Sequence, residues 1–280
     1  MKKLLLSVCS LIVLAASLPT DAAGQERMLW TRSDAGQIRI SDGGRGGIPV
    51  VFLHGLGGNW RQWSRQLRYL RPMRRAIAID LRGHGESAKP ENGDYSISGV
   101  MRDLEATIQQ LNLAQVVLVG QDFSAAVIAE YVKMHPTRVR GIVFLDPIGD
   151  MRALRSQMEI LAQMLDSDTF EQTAQAYYEG ILVNASQLTR DAVINGLNST
   201  SPHAIIEQFK GIINFDPSVA LAGFSNPMLS INSDFNNFPF SLHNILPNLP
   251  TEAIQGTSHW VQMDQPDWVN TVLNDFLRAM

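Results

Sequence analysis

An α/β fold is what this sequence predicts: a mostly parallel central sheet flanked by helices, interrupted by an inserted helical lid. Two observations carry the sheet. Short apolar runs of strand-forming residues recur along the chain, and helical patterns separate them. A third observation carries the lid, because from about Asp150 to Phe224 the alternation stops and helical signals follow one another with hardly any strand signal.

The elements follow in order. Ile38 to Ile40 are expected to start an antiparallel edge. Pro49 to Leu53 and Ala76 to Ile79 are continuously apolar, as strands covered on both faces must be. Between them NWRQWSRQLRYL has the spacing of an amphipathic helix. Val116 to Val119 and Gly141 to Leu145 are two further strands, and Pro227 to Asn232 and Glu252 to Gln255 the last pair. A final helix from Pro266 to Met280 places Trp268, Val269, Val272, Leu273 and Phe276 on one face. Within the lid, Asp168-Thr169-Phe170-Glu171 has the form of a capping box, and Ser201-Pro202 that of an N-cap followed by proline at the first helical position. The core is therefore expected over 24–149 and 225–280, with the lid over 150–224.

The 280 residues, 45% hydrophobic and 18% charged, are enough for a sizeable core and unlike a disordered chain. Residues 1–23 combine two lysines, an apolar stretch from Leu4 to Ala16 and small residues after it, the pattern of a secretory signal peptide. The apolar stretch is shorter than the roughly 20 residues of a spanning helix. An exported, periplasmic or secreted protein with no stable membrane anchor after cleavage is therefore expected. Cys9, the only cysteine, follows Val8 inside the apolar region rather than a small residue at a lipid-attachment site. The mature chain would then need neither disulfides nor thiol chemistry. Cutting after Ala23 removes Lys2, Lys3 and Asp21, leaving 21 basic and 26 acidic residues, a net charge of −5. That mild acidity argues against nucleic acid or an anionic membrane as partner and leaves a small-molecule substrate.

Four turns bear the chemistry. His54-Gly55-Leu56-Gly57-Gly58 follows a strand, and Asp80-Leu81-Arg82-Gly83-His84-Gly85-Glu86-Ser87 follows the next. Gly120-Gln121-Asp122-Phe123-Ser124 joins a strand to a helix, and Gly256-Thr257-Ser258-His259-Trp260 precedes the last helix. In this order, with these elements between them, they resemble the α/β-hydrolase fold family across nearly all of the expected mature chain. The resemblance implies an oxyanion loop at the first turn, a nucleophile elbow at the third and the catalytic histidine, His259, at the fourth. At such an elbow a sharp strand-to-helix bend lifts one side chain above the sheet, and small residues two positions away permit the bend. Gly120 and Ser124 supply them around Asp122. Ser124 is expected to pack rather than project. The backbone N–H groups of Phe123, at the start of the next helix, and of Leu56 would form the oxyanion hole.

An aspartate at the elbow changes the reaction. A carboxylate is already ionised near neutral pH and attacks directly. Attack on an ester would give a reactive mixed anhydride, whereas attack at saturated carbon gives an alkyl ester. His259 is then free to take a proton from water in a second step that hydrolyses that ester. The elbow resembles those of epoxide hydrolases and haloalkane or haloacetate dehalogenases, which carry aspartate where esterases carry serine. Two departures stand out: Gly57 occupies the place of their usual proline, and Phe123 that of a tryptophan whose N–H holds halide in many dehalogenases.

The epoxide hydrolases use lid tyrosines to protonate the ring oxygen, and Tyr177 and Tyr178 occupy the corresponding region. Tyr177 shares an apolar stripe with Phe170, Ala174 and Ile181 and is expected in the lid core; Tyr178, on another face, is preferred as the acid. The carboxylate that orients His259 is expected at Asp234, with Asp146 as the alternative. His54 and His84 are expected to fix loops, no spacing suggests a metal site, and no cofactor is implied. The reading is an exported hydrolase with an Asp122 nucleophile acting on a small apolar substrate, an epoxide ahead of a haloalkane or haloacid. Ester or lactone hydrolysis, and a binding protein of the same fold without turnover, stay open as alternatives.

Overall fold

The computed structural model describes residues 26–280; the signal peptide expected over residues 1–23 lies outside them. Eight strands, β1 (Arg27–Ser33), β2 (Gly36–Gly43), β3 (Val50–Leu53), β4 (Ala76–Ile79), β5 (Val116–Gln121), β6 (Val139–Leu145), β7 (Met228–Ser233) and β8 (Thr251–Ile254), form one sheet in the order β1-β2-β4-β3-β5-β6-β7-β8. β1 and β2 pair antiparallel, and β2 joins β4 antiparallel; from β4 onward every neighbouring pair is parallel.

Helices fill the connections: α1 (Ser64–Leu70), α2 (Ile97–Gln110), α3 (Ser124–Met134), α4 (Arg155–Leu165), α5 (Phe170–Ile181), α6 (Gln187–Ser199), α7 (Pro202–Ile213), α8 (Pro217–Leu221), α9 (Leu242–Ile245), α10 (Val261–Asp264) and α11 (Pro266–Ala279). The period-2 alternation of side chains sorts each central strand into two cores. Val51 and Leu53, Ile77 and Ile79, and Ile142 and Phe144 face α2, α3 and the lid. Val50 and Phe52, Ala76 and Ala78, and Val143 and Leu145 face α1 and α11. This double burial explains why β3, β4 and β6 read as unbroken apolar runs. On α11, Val269, Leu273 and Leu277 are buried and Trp268, Val272 and Phe276 pack at the margin of the same core.

Helices α4 to α8 all lie between β6 and β7, so the lid is one insertion above the ends of the parallel strands. Ser201 precedes Pro202 as the N-cap of α7, and its N–H donates to the Gly83 carbonyl of the core. The capping box expected at Asp168 does not form. α5 begins at Phe170 without a side-chain cap, because a tight turn after α4 gives the Phe170 N–H to the Ser167 carbonyl. β1 was not among the expected strands; all its residues but Thr31 are exposed or half-buried, and it pairs along its length with β2.

The turn after β4 is bolted to α2. Buried Arg82 forks onto Asp103, with Nε to Oδ2 at 2.6 Å and Nη2 to Oδ1 at 2.7 Å. Asp103 is the fully buried partner of Arg82; Asp34, at 2.6 Å, and Asp94 also pair with that arginine but are partly exposed. Asp103→Ala loses the charged hydrogen bonds while those pairs remain, and is expected to lower stability by about 1.5–3 kcal/mol, read from urea unfolding at an unchanged m-value. A loss under about 1 kcal/mol would put this pair with the weak surface bridges.

Candidate active site

Three loop ends meet where β5, β6 and β7 finish. Asp122, the residue after β5, takes φ 54°, a left-handed conformation that costs a non-glycine residue energy and recurs at functional sites. The bend survives because its neighbours are small. A Cβ on Gly120 would stand 2.5 Å from Ile128 Cδ1 and 3.1 Å from Ser124 Cβ. Ser124 turns beneath the elbow, where its Oγ donates to the His54 carbonyl at 2.5 Å.

The Leu56 N–H donates to Asp122 Oδ2 at 3.0 Å. Burial opposes ionisation of Asp122, but the facing His259 and the N–H groups of Leu56 and Phe123 outweigh it and hold the carboxyl below its ordinary range. His259 Nε2 lies 3.7 Å from Asp122 Oδ1, an ion-pair distance that leaves that oxygen free of a direct hydrogen bond. Burial of His259 favours its neutral form. The facing Asp122 carboxylate and the hydrogen bond and charge of Asp146 win, pushing it up to about 10.

The orienting carboxylate is Asp146, not Asp234. His259 Nδ1 donates to Asp146 Oδ2 at 3.0 Å, and Ser233 donates to the same carboxylate through N–H at 2.6 Å and Oγ at 2.6 Å. Asp146 extends the β6–β7 ladder by one step, its N–H bonding the Ile231 carbonyl. That register sets it level with the end of β7, whose last residue offers two donors. Asp234, one residue further, is exposed and accepts from the Gly256 N–H at 3.2 Å. Ser233 was not foreseen from sequence, since its part depends on the pairing of β6 with β7.

Both lid tyrosines line the cavity beside Asp122, and Tyr177 packs on the core with Phe170, Ala174 and Ile181 as the stripe predicts. Tyr178, preferred as the acid, is buried with its ring stacked on Trp260, and its hydroxyl donates to the Leu56 carbonyl at 2.7 Å. Tyr177 is half-buried, edge-on to Tyr178 and Phe209, and its hydroxyl has no hydrogen-bond partner among the described residues. Burial and then the charge of Asp122 push its phenol up. Tyr178 is buried as well because α5 is packed on two sides, against the lid and against the loops below it.

Asp122, His259, Leu56, Phe123 and Tyr177 line a cavity of about 50 Å³ whose other walls include Met151, Met158, Ile181, Phe209 and Ile212. Drug-sized sites run to roughly 300–1,000 Å³; this one is far smaller, and most of its walls are apolar. The arrangement offers an ionised carboxylate with backbone donors on it, a histidine held by a second carboxylate, and a phenol across the cavity.

Residues 48–268 match the family model described as alpha/beta hydrolase fold. Among curated proteins, a haloalkane dehalogenase of Agrobacterium fabrum is 36% identical over 102 residues, 36% of this chain and 33% of that protein. Epoxide hydrolase 2 of Siraitia grosvenorii is 40% identical over 101 residues, 35% of this chain and 32% of that protein. These matches span about a third of either relative's length. A bromoperoxidase from Bacillus anthracis superposes with a TM-score of 0.79 at 23% identity, covering 90% of this chain and 100% of that one, a likeness of fold.

Proposed function

We propose that this chain, which belongs to the α/β-hydrolase fold family and is a hydrolase, opens a small apolar epoxide through an ester on Asp122. One observation carries the reading. The elbow presents a carboxylate whose Oδ2 is already held by the Leu56 N–H while Oδ1 faces His259. The absence of an N–H donor on the Phe123 side chain, together with a Tyr177 hydroxyl in the cavity wall that has no hydrogen-bond partner among the described residues, favours an epoxide over a halide.

In the first step Oδ1 bonds to a ring carbon, the C–O bond of the epoxide breaks and the ring oxygen takes the Tyr177 proton. Esterification neutralises Asp122 and removes one of the two carboxylates that keep His259 protonated. The imidazolium returns a proton to the Tyr177 phenolate and becomes a base. Water then gives a proton to His259 Nε2 and attacks the ester carbonyl carbon. The oxyanion forms on Oδ2, against the N–H groups of Leu56 and Phe123. Collapse expels the alkoxide, which takes the proton from His259, and the carboxylic acid left on Asp122 re-forms the ion pair.

A variant that keeps the first step and loses the second makes the test. In His259→Gln, 1,2-epoxybutane is expected to add its full mass to the peptide carrying Asp122, while 1-bromobutane adds less or none under the same conditions. A protein that never carries an adduct with either probe would sink the covalent reading; heavier labelling by the bromide would move it to carbon–halogen cleavage.

A further inference from the structure

We propose that Tyr178 is a positioning residue that clamps the oxyanion loop, with Gly57 as the residue that makes the clamp possible. The peptide between Leu56 and Gly57 is gripped at both ends. Its carbonyl accepts the Tyr178 hydroxyl at 2.7 Å, and its N–H donates to His84 Nε2 at 3.2 Å. His84 can accept there because its Nδ1–H is spent on the Arg82 carbonyl at 3.0 Å. Burial keeps that imidazole neutral, its pKa lowered to about 4. The next peptide back supplies the Leu56 N–H on Asp122 and is gripped likewise. Its Gly55 carbonyl accepts His54 Nδ1–H at 2.8 Å and the Gly58 N–H at 3.1 Å.

Gly57 is required twice. It takes φ +66°, and a Cβ there would stand 2.3 Å from the Tyr178 hydroxyl oxygen. A proline, the residue usual in the enzymes this site resembles, would also lack the N–H that bonds His84. The lid closes on the loop from a second helix as well, since a Cβ on Gly196 of α6 would stand 2.7 Å from the Gly57 carbonyl. α5 is fastened on its other side too: the His259 N–H donates to the Ile181 carbonyl at 3.3 Å. This lid helix therefore braces both the oxyanion loop and the histidine loop.

The inference rests on the two-step reading and adds that Tyr178 serves the second step. Oxyanion donors must be fixed before charge develops on Oδ2, whereas attack by Oδ1 at carbon places no such demand on them. Tyr178→Phe removes the hydroxyl alone. Two readouts on the whole protein separate the inference from the reading beneath it. Amide exchange at Gly57 is expected to rise about five- to tenfold, the worth of one hydrogen bond. The Asp122 adduct is expected to accumulate with 1,2-epoxybutane at steady state, as in His259→Gln, because the ester forms and hydrolyses slowly. Unchanged exchange at Gly57 overturns the clamp. Faster exchange without an adduct, where His259→Gln does carry one, overturns its part in the second step. If His259→Gln carries no adduct, the covalent reading fails and exchange alone decides the clamp. A Tyr178 that were the acid would instead slow ester formation and leave no adduct. Should Tyr178→Phe not fold, Gly57→Ala tests the same contact from the loop. It is expected to raise exchange at His54–Asn59, and an unchanged value there overturns the clamp.

Discussion

Asp122→Asn is expected to abolish turnover, by about 10⁴-fold or more, and to lower the pKa of His259 from about 10 toward its ordinary value. Asparagine is the informative replacement because it tolerates the left-handed conformation that the elbow imposes at φ 54°. The bend and the Leu56 donor then survive while the charge and the nucleophile are lost. The sign for His259 follows from its surroundings. Its folded-state pKa is raised, so the stabilisation it contributes is complete below an unfolded value near 6.5 and is lost as pH rises through about 10. Without the Asp122 charge that loss starts at lower pH. The His259 Cε1–H resonance, followed through a pH titration, reads the shift directly, with intact mass excluding deamidation back to aspartate. A titration unmoved by the substitution would mean that Asp122 and His259 are not coupled, and the release of His259 by ester formation would fall with it.

In the proposed mechanism that release lets one histidine serve a resting site where it is charged and a hydrolytic step where it must be neutral. A fixed pKa near 10 would leave little free base at neutral pH. Coupling to Asp122 would solve this without any movement of the ring, because forming the proposed ester would also remove a charge that holds the proton.

Much of this site was legible before any coordinates, for reasons that differ between residues. Asp122 and His259 lie in turns whose glycines and chain order constrain the backbone, so local sequence places them. Leu56 and Phe123 enter through backbone N–H groups beside the Asp122 carboxylate, and their places follow once the turns are recognised. The orienting acid could not be read this way. Asp146 and Asp234 each follow a parallel strand, and the choice turned on the β6–β7 register and on Ser233 filling the level where Asp234 was expected. The burial of Tyr178 escaped for a related reason: helical periodicity finds one buried face, here that of Ala174 and Tyr177, and α5 has two. β1 escaped notice because RMLWTRS is an outer strand held by backbone hydrogen bonds, with little burial to pattern its sequence.

The correction from Asp234 to Asp146 carries the second large effect. Asp146→Asn is expected to lower turnover by about 10²- to 10⁴-fold, whereas Asp234→Asn should stay within about twofold, as surface substitutions commonly do. The physical cause is the tautomer of His259. Asp146 accepts three donors, the Ser233 N–H on Oδ1 and both the Ser233 hydroxyl and His259 Nδ1–H on Oδ2. An asparagine carbonyl can keep the Ser233 N–H, but its NH₂ then faces the ring and must donate to Nδ1. The proton moves to Nε2, the atom that should take it from water, and the second step loses its base. Attack by Asp122 needs no neutral Nε2, so ester formation continues and the adduct builds up in Asp146→Asn as in His259→Gln. Single-turnover kinetics with mass detection at the Asp122 peptide separate the two steps. Equal activity loss in Asp146→Asn and Asp234→Asn, or loss without accumulated ester, would mean that the carboxylate on Nδ1 does not govern hydrolysis.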